Sequence, residues 1–338
     1  MKQKYISIIR IASCLLWLPA LLNSCLFEEP EITADGEIGV DPTAVNVMTD
    51  LTLDMSFAPL ELNYTRAATE DGFYYRFNIA AYEGSQEVTR QVIYEPVRPE
   101  ATSISLPVSL KLHARKYQLA VWADYVKKSG EAYQLFYDAD NMERIIRAGS
   151  YKGNSDYYDA FFGTTRIDLT PYREQWNVRV PIDIEMVRPL ARYELIATDV
   201  GKFLQKIKDK EITGSSFTVT VRYGYYLTTG LNALTGKVKH PLQYMEYSKS
   251  LPLPAEGTEE CSAGFDYVLV NGEGSFVSLT IEVTNDKNNV VARYRNLKVP
   301  YKQNHLTTVR GNFLTANPGI DIDTDFDDDI IVDLDRLQ

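Results

Sequence analysis

Ile104-Ser105-Leu106-Pro107-Val108-Ser109-Leu110-Lys111-Leu112 carries an apolar side chain at every second residue. That period is the pleat of a β-strand with one face in a core and one in water; a helix would need apolar residues three and four apart. A little further on, Tyr117-Gln118-Leu119-Ala120-Val121-Trp122-Ala123 is nearly all apolar and reads as a central strand covered on both faces, with Trp122 in the core. Working outward, Leu51, Leu53, Met55 and Phe57 alternate with Asp54 and Ser56, and Phe73, Tyr75, Phe77 and Ile79 alternate with Arg76 and Asn78. Val178, Val180, Ile182, Ile184 and Met186 form another such series. The Tyr-rich stretch 125–175 has little periodicity and reads as a long excursion of short strands and turns.

Arg188-Pro189 marks a boundary, since proline cannot continue a ladder and restricts the residue before it. Beyond it Ala191, Tyr193, Leu195 and Ala197 alternate, and further strands are expected at 217–227, 265–270, 276–283, 290–299 and 305–314. Val200, Phe203, Leu204 and Ile207 fall at helical spacing behind Asp199, a candidate N-cap. The expected class is therefore all-β: two tandem antiparallel β-sandwich domains, with one short helix in the second. The domain reading is a signal at 1–24, an acidic tether at 25–43, an N-terminal sandwich at 44–188 and a C-terminal sandwich at 189–338 that ends in an acidic strand.

The 338 residues suit two domains of roughly 150 residues each. With 45% hydrophobic and 12% aromatic residues, the chain has the material for packed cores and is not disordered for most of its length. Acids outnumber bases 46 to 35, for a net charge of −11 with no basic run, which excludes a nucleic-acid partner. Three His and three Cys are too few and too scattered for a zinc site, a haem motif or a disulfide scaffold.

Lys2, Lys4 and Arg10 precede an apolar run from Ile11 to Leu22, too short for a membrane span of about 20 residues but right for a secretory signal. Leu22-Asn23-Ser24-Cys25 resembles a bacterial lipobox, which makes Cys25 the lipid attachment site and the outer membrane, at the cell surface, the expected location. A plain secretory signal with a stray cysteine is the alternative. Cleavage before Cys25 takes the net charge to −14 and leaves Cys261 with no cysteine to pair with.

Chemistry-bearing patterns are sparse. There is no G-x-S-x-G, and His113, His240 and His305 fall at strand ends and in a loop with nothing to couple them. The tail Asp321-Ile322-Asp323-Thr324-Asp325-Phe326-Asp327-Asp328-Asp329 has acids where a calcium loop begins, but Phe326 stands where glycine makes the turn and Val332 where a bidentate Glu is required. A strand with an acidic face is the better reading, and no cofactor beyond the lipid on Cys25 is expected. Trp176, Tyr157 and Tyr158 are candidates for a platform on which sugar rings stack.

Several pieces, taken in order, resemble the fimbrillin superfamily, the type V pilus subunits and fimbrillin-like lipoproteins of gut and oral Gram-negative anaerobes. They are Cys25, the early strand 51–57, Thr65-Arg66-Ala67 just before the strand 73–82, the central strand near Trp122, Arg188-Pro189-Leu190-Ala191-Arg192-Tyr193, and Tyr301-Lys302-Gln303-Asn304-His305. The resemblance implies transthyretin-like sandwiches and a non-enzymatic, adhesive or fimbrial subunit. It implies processing between Arg66 and Ala67 that removes the first strand with the lipid, and partners that are other fimbrial subunits or further copies joined by donor-strand addition. A host or glycan ligand belongs to the same expectation. A glycan-binding outer-membrane lipoprotein using exposed aromatics is the alternative, and a hydrolase of unrecognised type stands behind both.

Overall fold

The computed structural model describes residues 44–56, 72–98, 101, 103–175, 178–270, 275–316 and 331–336, with Ser56 and 331–336 given by backbone alone. In chain order the strands are β1 (Asn46–Ser56), β2 (Phe73–Glu83), β3 (Gln86–Pro96), β4 (Ser103–His113), β5 (Lys116–Ser129), β6 (Ala132–Leu135) and β7 (Tyr137–Asp138). Next come β8 (Ile145–Arg147), β9 (Ala160–Asp168), β10 (Arg179–Met186), β11 (Leu190–Ala197), helix α1 (Val200–Lys208), β12 (Phe217–Tyr223), β13 (Leu227–Asn232) and β14 (Lys237–Leu242). The last are β15 (Glu246–Leu251), β16 (Cys261–Leu269), β17 (Ser275–Asn285), β18 (Val290–Tyr301), β19 (His305–Gly311) and β20 (Ile331–Arg336). The class is all-β, as the alternation requires.

Five sheets form, in the orders β10-β1-β4, β3-β2-β5-β6 with β9 also on β5, β14-β13-β8-β7, β16-β11-β19-β20 and β15-β12-β17-β18. β11 and β19 run parallel, which a hairpin cannot produce, so β19 reaches β11 after the chain has built the opposing sheet. β20 pairs antiparallel with β19, from His305 opposite Arg336 to Arg310 opposite Ile331. The segment expected as one strand over 217–227 is two: the chain turns at Gly224, whose N–H donates to the Ser278 carbonyl (2.8 Å), and β13 joins a different sheet.

The strand pattern fixes the cores. β11 turns Tyr193, Leu195 and Ala197 inward against Val219 and Val221 of β12, Leu279, Ile281 and Val283 of β17 and Val299 of β18, all buried. α1 closes one end of this core through Val200 and Phe203, with the Phe203 and Phe217 rings edge-on at 5.0 Å. A second core takes Ala80 and Tyr82 of β2 and Ala120 and Trp122 of β5 against Tyr137, Met142, Tyr158, Leu231, Tyr267 and Leu269. Trp122, 0% exposed, sits inside it as expected. The other faces of β2 and β5 are buried too, through Phe77, Ile79, Leu119, Val121 and Ala123.

Contacts divide the chain into two units. Among the described residues, the smaller contains 44–48, Lys111–Arg115 and those of 168–179, and the larger those of 49–110, 116–167 and 180–336. In the smaller unit, Ala114 N–H donates to the Val45 carbonyl (2.8 Å), Leu169 N–H to Arg115 (2.9 Å) and Met48 N–H to Val178 (3.1 Å).

Candidate functional site

β1 has a strand on each side, β10 and β4. In the larger unit Thr49 Oγ1 donates to the Leu110 carbonyl (3.0 Å) and Ser109 Oγ to Asp50 Oδ1 (2.8 Å), so β4 descends as β1 ascends and the pair is antiparallel. The odd residues of β1 face inward: Val47, Thr49, Leu51, Leu53 and Met55 are each 1% exposed or less, while Asn46 and Asp54 face out. β4 has the same alternation, with Leu106, Val108 and Leu110 buried between exposed partners. β1 thus has a ladder on each side and turns alternate side chains into buried positions.

Two of the segments quoted for the family resemblance, 188–193 and 301–305, meet in a buried polar clip. Arg188 donates to both carboxylate oxygens of Asp159 (2.7 and 2.9 Å), to Asn304 Oδ1 (2.6 Å), and lies 4.7 Å over the Phe161 ring. Gln303 Nε2 donates back to the Arg188 carbonyl (3.0 Å). Burial disfavours the guanidinium charge, but the Asp159 carboxylate outweighs it and raises the Arg188 pKa. Asn304 has φ +58°, a conformation asparagine tolerates in tight turns, which is why Lys302-Gln303-Asn304 can carry β18 straight into β19. This clip is an architectural feature: every charged group in it is buried and paired.

Sequence reading missed a second polar cluster. Register places Tyr193 opposite Asp266. Asp266, 0% exposed, accepts hydrogen bonds from the hydroxyls of Tyr151 and Tyr223 (the latter 2.7 Å), pairs with Arg147 at 3.3 Å, and takes the Tyr267 N–H (2.8 Å) on its other oxygen. The Tyr193 hydroxyl shares a hydrogen bond with Tyr223 (2.9 Å) and donates to Tyr247 (3.2 Å). Burial first, and Asp266 with it, lifts the Tyr151, Tyr223 and Tyr247 hydroxyls well above the usual phenol range, so at neutral pH they are donors rather than phenolates. Gly264 makes room: it has φ +150° beside the bulge at Leu195/Ile196, and a Cβ there would lie 3.0 Å from the Tyr247 hydroxyl. The cluster resembles acid–base machinery in composition, yet Asp266 and the tyrosine hydroxyls bond to one another in a buried setting, and Arg147, whose Nη1 has no hydrogen-bond partner, lies over the Tyr151 and Tyr158 rings.

The sequence family described as a family of unknown function (DUF6562) matches residues 42–336. The chain belongs to DUF6562. No curated protein matches this DUF6562 chain. Among solved structures, a protein from Bacteroides ovatus provisionally described as a cell adhesion protein is similar at 11% identity and TM-score 0.43, over 86% of this chain and 96% of that one. The fimbrial anchor protein Mfa2 from Porphyromonas gingivalis is similar at 11% identity and TM-score 0.39, over 78% and 90%. A fimbrial assembly protein from Parabacteroides distasonis is similar at 10% identity and TM-score 0.39, over 87% and 96%.

Of the residues singled out in sequence, Cys25, Arg66, Ala67, Trp176 and the acidic run 321–329 lie outside the described residues of the DUF6562 chain. Tyr158 is 4% exposed, and its ring stands edge-on to Tyr137 at 6.0 Å. Tyr157 stacks on Phe73 (4.5 Å) and Phe136 (5.0 Å). The three histidines stay apart: His113 Nδ1 contacts the Ala44 carbonyl (2.9 Å), His240 Nδ1 Thr229 (2.9 Å) and His305 Nδ1 the Gln303 carbonyl (2.7 Å). Asp199 precedes α1, but its side chain makes no cap; it accepts from Leu314 N–H (3.0 Å), Thr315 N–H (2.7 Å) and Thr315 Oγ1 (2.7 Å). The carboxylate is used to hold the β19 exit against the helix, while the first helical bond, Phe203 N–H to the Asp199 carbonyl, is made by backbone (2.9 Å).

Proposed function

We propose that this chain is a surface lipoprotein, held at the outer membrane through Cys25, that acts as an adhesive or fimbrial subunit and joins its neighbours by exchange of β1. It performs no catalysis. The observation that carries the reading is the position of β1 between β10 and β4 with its whole inner face buried. At about 1.5–3 kcal/mol for each fully buried aliphatic side chain, Val47, Leu51, Leu53 and Met55 together contribute an energy comparable to the 5–15 kcal/mol net stability of a typical domain. A chain that loses β1 therefore cannot rest with an empty groove. It unfolds or recruits another strand, whose backbone regains two ladders and whose alternate side chains refill the pockets.

Arg66 and Ala67 lie between β1 and β2, so a cut there would separate the lipid-bearing segment, with β1, from everything that follows. The fimbrillin-like order of motifs in the sequence supports the same reading, as does the secretory signal ahead of Cys25. The 44–188 and 189–338 segments are taken as its two tandem sandwiches. The deciding experiment is N-terminal sequencing of material sheared from the cell surface. An N-terminus at Ala67 in chains running as a ladder of multimers is expected; an intact acylated Cys25 in those multimers overturns the strand-exchange reading.

A further inference from the structure

Large apolar side chains are seldom left in water in a group unless they have a ligand. Among the described residues the exposed aromatics are Tyr225 (70%), Tyr226 (65%), Phe276 (51%) and Tyr244 (91%), and the first three line one open groove together with Tyr301. They come from three separate places in the sequence. Tyr225 and Tyr226 form the turn between β12 and β13, Phe276 opens β17, and Tyr301 ends β18.

The fold holds these rings in place. Gly224 N–H donates to the Ser278 carbonyl (2.8 Å), and a Cβ on Gly224 would lie 3.3 Å from Ser278 Oγ, so a glycine lets the turn sit directly on β17. Tyr223, just before it, is tied by its N–H to the Met245 carbonyl (2.9 Å) and by its hydroxyl to Asp266 (2.7 Å). Ser275 pairs with Tyr301 and Phe276 with Pro300, so the strand alternation turns Phe276 outward, while Tyr301 lies on the core side of the sheet and is partly buried. The platform is preorganised by backbone hydrogen bonds, so a ligand need not order it.

The chemistry of the lining selects the ligand. Among the described residues no charged side chain lines the groove, so none of them neutralises a phosphate, sulfate or carboxylate, and a net charge of −11 repels polyanions at a distance. Thr228 and Ser278 add hydroxyls among the rings, and the Tyr225 and Tyr226 phenols end in hydroxyls of their own. A purely apolar partner would leave those polar groups unpaired. A pyranose ring answers both features, with C–H bonds on its faces and hydroxyls around its rim.

We propose that the Tyr225–Tyr226–Phe276–Tyr301 groove binds a neutral, hexose-type glycan by ring stacking. Neither Tyr157 nor Tyr158 lines the groove, and binding there does not require β1 exchange. Detergent-solubilised full chain is run in native gels cast with a neutral glucan, mannan or galactan, and with an acidic polysaccharide as control. Retardation by at least one neutral polysaccharide is expected. Tyr225→Ala and Phe276→Ala should each weaken it roughly tenfold, the scale of one aromatic stacking contact. Tyr225→Phe should keep most of the binding, and Tyr244→Ala, outside the groove, should leave it unchanged. Urea midpoints confirm that each variant is folded. The proposal fails if no neutral polysaccharide retards the chain, if only the acidic one does, or if folded Tyr225→Ala and Phe276→Ala bind as tightly as the parent. Multimer formation is scored separately on the same variants, so loss of glycan binding with intact assembly, or the reverse, tells the two readings apart.

Discussion

Removing one partner of the Arg188–Asp159 clip should be far more damaging than removing both. The two side chains are 5% and 9% exposed and share two hydrogen bonds of 2.7 and 2.9 Å. Arg188→Met leaves the Asp159 carboxylate buried without those donors and strips Asn304 of its 2.6 Å contact. An orphaned buried charge of this kind costs about 3–5 kcal/mol. For a chain of this size that corresponds to a fall of roughly 4–8 °C in Tm. The double variant Arg188→Met/Asp159→Leu removes both charges and keeps apolar volume beside Phe161, so it should recover to within about 2 kcal/mol of the parent. The assay is a double-mutant cycle from urea unfolding at constant m, followed by near-ultraviolet circular dichroism. Single variants within about 1 kcal/mol of the parent, or a double variant whose loss equals the sum of the singles, would refute the reasoning.

Two further outcomes follow from buried carboxyls. Burial pushes Glu194 up to about 7 from 4.5, against the opposing pull of Lys249 and Arg310. Between those values the folded chain holds a proton that the unfolded chain has released, so the contribution of Glu194 to stability is greatest below about 4.5 and declines as pH rises to about 7, by up to about 3 kcal/mol. Glu194→Gln should flatten that decline in urea midpoints measured from pH 4 to 8. Asp199→Ala should cost about 2–4 kcal/mol, because the Leu314 and Thr315 N–H groups lose their acceptor; a loss of only a few tenths, the scale of an exposed helix cap, would show that those bonds matter little.

Residues with a strict period told their own story in the sequence. The alternation in β1, β2, β4 and β10, the continuous apolar run of β5 and the stripe of α1 all form where the pattern puts them, because each buries one face or both against a neighbouring layer. β3, Gln86-Glu87-Val88-Thr89-Arg90-Gln91-Val92, was not legible: it is an edge strand with a largely exposed or half-exposed pattern, so nothing selects an apolar period. The stretch 217–227 reads as one strand because Tyr225 and Tyr226 continue its apolar character, although they are exposed in a turn that Gly224 makes possible. The tyrosine cluster around Asp266 was invisible for a different reason. Tyr193 and Asp266 are far apart in sequence and become neighbours only through β-register, which no local pattern encodes. Of the candidate site, the alternation identified β1 as a half-buried strand, whereas its place between β10 and β4 is set by pairings that sequence spacing does not reveal.

The most direct test of strand exchange is to cut the detergent-solubilised full chain after Arg66 and follow its mass by size-exclusion chromatography with light scattering. Growth into multimers after the cut, suppressed by excess synthetic peptide spanning residues 44–56, is the expected result. A cut chain that keeps β1 and stays monomeric, or an uncut chain that assembles equally well, would contradict the account.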